Sequence, residues 1–124
     1  MSEVARGVVI AHGSLAAALV EAAERIGGPG EGLVAVSNTE CGREQIEAKI
    51  AAAAGDGPAV LFVDMPCGSC FFAAMHFARG REQVRVVTGV NLPMLLDFVN
   101  HPTLPPAESA IRATTKGAEA IRHP

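Results

Sequence analysis

Four short apolar runs, each followed by a stretch with helical spacing, constrain the fold of this chain more than any other feature. The runs predict strands from Gly7 to Ala11, Leu33 to Val36, Ala59 to Asp64 and Val84 to Thr88. Because the runs are almost continuously apolar, helices should cover both faces of the sheet. Helical crossovers between successive strands favour parallel pairing. We therefore predict an α/β fold with a doubly wound, mostly parallel four-stranded sheet, helices on both faces and a C-terminal helix.

Apolar residues at helical spacing predict the inner faces of the helices. In the first helix, which Ser14 can cap and the turn Gly27-Gly28-Pro29-Gly30 ends, these residues are Leu15, Leu19, Ala22 and Ile26. In the second helix they are Ile46 and Ile50, and in the last helix they are Ala107, Ala110, Ile111 and Thr114. The length and the lack of a linker predict a single domain over residues 1–124.

Composition and charge narrow the function classes. The net charge is −3 and Lys and Arg form no cluster, which argues against nucleic acid as a partner. The longest apolar run, near Ala59 to Val63, is too short to cross a bilayer, and the first residues lack the pattern of a signal peptide. Three cysteines, an odd number, fit reduced thiols better than a disulfide framework. We expect a cytoplasmic protein without direct membrane insertion.

Polar and reactive residues collect after the predicted strands, where ligands bind to open parallel sheets. His12 follows the first strand and precedes a helix, whose N-terminus favours an anion such as a phosphoryl group. Gly13 allows another molecule to approach closely. A neutral imidazole can act as a nucleophile when an acceptor such as Asp64 fixes its other nitrogen. From position alone, a structural role for His12 is as open as a functional one. The same holds for Asp64, which is otherwise a turn or helix-capping carboxylate.

Three segments together resemble the mannose-type enzyme IIA domains of the bacterial sugar phosphotransferase system. The segments are Gly7-Val-Val-Ile-Ala-His-Gly-Ser-Leu-Ala16, Val60-Leu-Phe-Val-Asp64 with the following Cys67-Gly-Ser69, and Val87-Thr-Gly-Val-Asn-Leu-Pro-Met-Leu95. They occur in the order found in that family and span nearly the whole chain. The resemblance implies a stoichiometric phosphocarrier that accepts a phosphoryl group from phospho-HPr on His12 and donates it to a IIB component. A role in sugar transport and a role as a free-standing regulatory IIA both stay open.

The resemblance also implies roles for individual residues. Asp64 would orient the histidine, and Ser69 would lie beside the phosphoryl group. Gly13, Ser14 and Gly68 are the expected phosphoryl-binding residues. The family is usually a homodimer, and its exchanged C-terminal strand would fall within Gly117 to Pro124. The resemblance implies no cofactor and no metal.

The segment Cys67-Gly-Ser-Cys70 departs from the family's loop and supports competing interpretations. It follows a buried strand and opens a helix, as in a thioredoxin-type pair, so a thiol–disulfide oxidoreductase is one alternative. A non-catalytic regulatory module controlled by phosphorylation is another, and a Cys67–Cys70 disulfide could gate phosphorylation. A zinc site built from both cysteines, Cys41 and His76 is weaker, because no second CxxC is present. Ser69 is otherwise expected to cap the third helix, and His76 to pack partly buried.

Overall fold

The computed structural model describes residues 4–28 and 32–124 and contains one parallel sheet in the order β2-β1-β3-β4. The strands are β1 (Arg6–Ala11), β2 (Leu33–Ser37), β3 (Ala59–Val63) and β4 (Val84–Thr88). Each lies within one residue of its predicted bounds. The predicted α/β class and doubly wound arrangement are therefore confirmed.

Within residues 4–28 and 32–124, five helices cover the two faces of the sheet. On one face lie α2 (Arg43–Ala54) and α3 (Ser69–Ala78). On the other lie α1 (Leu15–Gly27), α4 (Leu92–Asn100) and α5 (Pro106–Glu119). The first helix ends at the predicted turn, of which Pro29 and Gly30 lie outside the described residues. None of the helices in the described part of the chain is long and apolar enough to cross a membrane.

The two central strands, β1 and β3, place the candidate site. They pair in parallel, with Ile10 opposite Val63, so their carboxyl ends lie side by side. The chain leaves β1 toward β2 on one side and leaves β3 toward β4 on the other. This reversal of direction opens a crevice at the carboxyl ends, the position where open α/β sheets bind ligands.

The predicted inner face of α1 was wrong by about one residue. The buried residues of α1 are Ala16, Val20 and Ala23, whereas Leu15 and Ile26 are 44% and 63% exposed. Small residues face the core because they let the helix approach the sheet closely, and their weak hydrophobic signal was masked by the larger neighbours. The second helix confirms its prediction, since Ile46 and Ile50 are fully buried.

The last helix shows the same effect. It buries Ser109, Ala113 and Gly117, and Ile111 is 68% exposed. A Cβ atom added at Gly117 would lie 2.6 Å from atoms of the Met94 side chain, so α5 contacts α4 more closely than any larger residue allows. Of the segment Gly117 to Pro124, residues 117–119 belong to α5 and residues 121–124 form no strand within the chain, so an exchanged strand between subunits stays a prediction.

Candidate functional site

His12 and Asp64 meet at the carboxyl ends of the central strands. Nδ1 of His12 lies 2.8 Å from Oδ2 of Asp64, and the His12 backbone N–H donates to the same oxygen at 3.0 Å. The Asp64 side chain is only 9% exposed, while that of His12 is 43% exposed. The carboxylate is therefore shielded behind the imidazole, which faces solvent.

The turn after β1 is held by the end of β2. Asn38 Oδ1 accepts a hydrogen bond from the Gly13 backbone N–H at 3.0 Å, and Ser37 Oγ donates to the Gly13 carbonyl at 2.7 Å. Gly13 has a φ of 61°, which favours glycine. Ser37 ends β2 and Asn38 follows it, and the sequence predicted no role in the site for either residue. Their role depends on strand order, which brings β2 next to β1.

The environment of Asp64 favours its ionised form. Burial raises the pKa of this carboxyl. The hydrogen bonds from the backbone N–H and the ring of His12, together with the charge of His12, lower the pKa by more, so that it lies below its ordinary value of 3.8. An ionised carboxylate only accepts hydrogen bonds, so Nδ1 of His12 carries the proton. The lone pair of the neutral imidazole is then on Nε2, which makes no hydrogen bond within the described residues.

The loop between β3 and α3 passes beside the imidazole. Gly68 precedes α3 with φ 91° and ψ −178°, a conformation that is essentially restricted to glycine. A Cβ atom added there would lie 3.9 Å from Cε1 of His12. Ser69 is the first residue of α3 rather than its cap, so the predicted capping role was wrong, because Gly68 holds that position.

The cysteines of this loop differ in exposure. Cys67 is exposed, whereas Cys70 is buried with its Sγ 4.0 Å from Nδ1 of His12. Burial and the charge of Asp64 raise the pKa of Cys70 to about 11, against a smaller lowering by a hydrogen bond with Ser69. All three cysteines are unpaired in the structure. The thiol–disulfide interpretation of the pair stays a prediction.

The predicted zinc ligand set is not brought together. Cys41 packs against the core on the α2–α3 face, and His76 lies on α3 with its Nδ1 2.7 Å from Glu47 Oε1. His76 is also exposed, so its predicted packing role was wrong, because its partner is a charged group rather than the core. Within the described residues, a different group of possible ligands forms from His12, Asp64 and Cys70.

Comparison with known proteins identifies the family of the chain. The EIIA-man family model, described as the PTS system fructose IIA component, matches residues 7–115. The chain belongs to this family. It is similar to the sorbose-specific EIIA component of the PTS from Klebsiella pneumoniae, with 30% identity over 76% of this chain and 72% of that protein. The chain is thus a IIA component of the phosphotransferase system, as the resemblance implied.

Solved structures show the same fold. The mannose/sorbose-specific IIA subunit from Enterococcus faecalis superposes with a TM-score of 0.86 at 26% identity, covering 100% of this chain and 96% of that one. The EIIA component from Streptococcus agalactiae gives a TM-score of 0.88 at 18% identity, covering 95% of each chain. The arrangement of sheet and helices is therefore shared well beyond the sequence similarity.

Proposed function

We propose that this IIA chain is a phosphocarrier in which His12 accepts a phosphoryl group from phospho-HPr and donates it to a IIB component. The hydrogen bond of 2.8 Å between Nδ1 of His12 and Asp64 carries the proposal. It fixes the proton on Nδ1 and leaves Nε2 as the nucleophile on a half-exposed ring. A donor protein can therefore reach the reacting nitrogen, while Asp64 stays shielded.

The transfer step exchanges one N–P bond for another. Nε2 of His12 attacks the phosphorus of the donor's phosphohistidine in line with the leaving imidazole nitrogen, whose N–P bond breaks. The Nδ1 proton stays between the imidazole and Asp64, so that the carboxylate stabilises the positive charge that forms on the ring. In the donation step, a nucleophile of the IIB component attacks the phosphorus, the Nε2–P bond of His12 breaks, and the imidazole returns to its starting tautomer. Positioning and electrostatics supply most of the catalysis in phosphoryl transfer.

Two helix N-termini flank the proposed phosphoryl position. The first helix begins after Ser14, whose side chain makes no capping hydrogen bond and is free to donate to a phosphoryl oxygen. The third helix begins at Ser69, directly after Gly68 beside the imidazole. The N–H of Gly13 is already donated to Asn38, so Gly13 contributes close approach rather than a hydrogen bond. The positive ends of both helices favour the added negative charge.

Family membership supports a wider proposal about this chain. We infer that residues 1–124 act as one IIA domain in the cytoplasm, as a homodimer that contacts HPr and a IIB component in turn. The net charge of −3 supports protein rather than nucleic-acid partners. The roles described above for the residues around His12 are part of this proposal. These residues are Gly13, Ser14, Asp64, Gly68 and Ser69.

Incubation with enzyme I, HPr and phosphoenolpyruvate, followed by intact mass measurement, tests the proposal. We expect one acid-labile phosphoryl group per chain, absent from His12→Gln. His76→Gln is a matched control, because His76 also pairs with a carboxylate but lies away from the crevice. An active donor system that adds no mass to the wild type, or equal mass to His12→Gln, would overturn the assignment. Subsequent loss of the group to a IIB protein tests donation separately.

A further inference from the structure

Three different metal-ligating atoms converge beneath the exposed edge of His12. Nδ1 of His12, a carboxylate oxygen of Asp64 and Sγ of Cys70 all lie within 4.8 Å of one another. The two measured separations are 2.8 Å between Nδ1 and Oδ2 and 4.0 Å between Nδ1 and Sγ. A tetrahedral zinc ion holds its ligand atoms about 3.3–3.8 Å apart. The two separations from Nδ1 lie within about half an ångström of that range, and the carboxylate-to-Sγ separation, at no more than 4.8 Å, lies within about 1 Å of it.

Asp64 has more acceptor capacity than the site uses. Oδ2 accepts both hydrogen bonds from His12, whereas Oδ1 is buried and has no hydrogen-bond partner within the described residues. An ionised carboxylate oxygen left without a partner in a buried position is costly. A cation held by this carboxylate would compensate for that cost.

We propose that His12, Asp64 and Cys70 form a binding site for a borderline-soft divalent cation of the Zn²⁺ type. Imidazole, carboxylate and thiolate are the donors that Zn²⁺ prefers, and a thiolate ligand disfavours Mg²⁺ and Ca²⁺. Metal binding displaces the proton of the Cys70 thiol to solvent. Solvent or a bound water fills the remaining position of the coordination sphere. Cys70 thus supplies the thiolate ligand that makes the site selective for a borderline-soft cation.

Occupancy of this site controls the tautomer of His12. A metal on Nδ1 uses the lone pair of that nitrogen, so the ring proton moves to Nε2. The nucleophilic lone pair on Nε2 is then lost, and the imidazole is unable to accept a phosphoryl group. Conversely, when Nε2 carries a phosphoryl group, Asp64 holds the proton on Nδ1 as in the proposed transfer step, so the metal must displace that proton before it can bind. This antagonism rests on the proposed function and is reciprocal in binding free energy, whereas metal binding itself does not depend on that function.

Calorimetric titration of the unphosphorylated, reduced chain with Zn²⁺ alone tests the site. We expect one ion per chain, with Kd raised at least about tenfold in Cys70→Ser and in Asp64→Asn. Cys67→Ser is the matched control, since it removes the neighbouring thiol of the same loop, and it should bind as the wild type does. No saturable binding, or equal affinity in Cys70→Ser, would overturn the proposal.

Two further measurements distinguish loss of the metal site from a folding defect, and failure of this proposal from failure of the phosphocarrier proposal. Co²⁺ should give a thiolate-to-metal absorption band in the wild type and in Cys67→Ser but not in Cys70→Ser, and a band that depends on Cys67 instead contradicts the ligand set. Zn²⁺ should slow phosphorylation of the wild type at least about tenfold more than that of Cys70→Ser in the same donor mixture. Equal slowing refutes the antagonism, even if binding is confirmed. A wild type that is not phosphorylated without Zn²⁺ refutes the proposed function instead.

Discussion

Replacement of Asp64 by Asn should slow the phosphorylation of His12 while leaving the fold in place. One carboxylate oxygen accepts both the backbone N–H of His12 at 3.0 Å and Nδ1 at 2.8 Å. Asparagine has nearly the same size but offers one carbonyl acceptor and one N–H donor group. If the amide N–H faces Nδ1, the imidazole adopts the tautomer that carries its proton on Nε2. If the carbonyl faces Nδ1, the tautomer is kept but the negative charge is lost.

The two orientations bracket the size of the effect. A hydrogen bond to a charged group is worth about 1.5–3 kcal/mol and a neutral one about 0.5–1.5 kcal/mol, so loss of the charge alone costs about 1–2 kcal/mol. This difference corresponds to a rate loss of about 5- to 30-fold. Selection of the wrong histidine tautomer by an Asp-to-Asn change raises the loss toward about 10⁴-fold. We therefore expect Asp64→Asn to be phosphorylated at least about fivefold more slowly than the wild type.

A quenched time course at limiting phospho-HPr, analysed by intact mass, measures this rate. Glu47→Gln is the matched control, because it removes the carboxylate charge from another histidine pairing, that of His76, without touching the crevice. The control should react at the wild-type rate. A rate for Asp64→Asn within twofold of the wild type would refute the reasoning that the carboxylate sets the reactive nitrogen.

Three further predictions concern stability and are measured by urea unfolding. Because the pKa of Asp64 in the folded state lies below 3.8, its ionic contribution is complete above that pH and is lost as the pH falls through the folded value. The stability difference between the wild type and Asp64→Asn should therefore shrink on acidification below about pH 4, and a constant difference contradicts this. Gly68→Ala should lose about 1–3 kcal/mol because of its backbone conformation, and an unchanged midpoint would show that the loop relaxes without cost. Ile50→Ala should lose about 2–5 kcal/mol, whereas exposed Ile111→Ala should change stability by less than about 0.5 kcal/mol, and similar losses in both would contradict the assigned core.

The strands and their reactive ends were predictable from the sequence for a simple physical reason. A strand buried on both faces must be continuously apolar, so the first polar residue after it marks the edge of the sheet. His12 and Asp64 are such residues, and the parallel topology predicted from helical crossovers brings their strands together. The likeness of three segments to one family gave the same positions independently.

Other parts of the site depend on contacts that the sequence pattern does not encode. The inner faces of α1 and α5 were misplaced because alanine and glycine give little hydrophobic contrast, although Ala16 and Gly117 allow the closest packing. The support of Gly13 by Asn38 requires knowledge that β2 lies beside β1. The CxxC pattern predicted that Cys67 and Cys70 interact with each other. The structure places Cys70 next to His12 instead.

The pairing of β1 with β3 also has a consequence for the order in which the molecule folds. His12 and Asp64 are separated by 52 positions along the chain, and closing a flexible segment of that length costs on the order of 3–4 kcal/mol of chain entropy before any contact offsets it. Folding should therefore be slower than in helical bundles of the same size, whose contacts are local. During synthesis on the ribosome, β1 emerges long before β3, so the imidazole has no partner to select its tautomer until more than half of the chain has been made. The reactive nitrogen of His12 is thus defined only when the two central strands join.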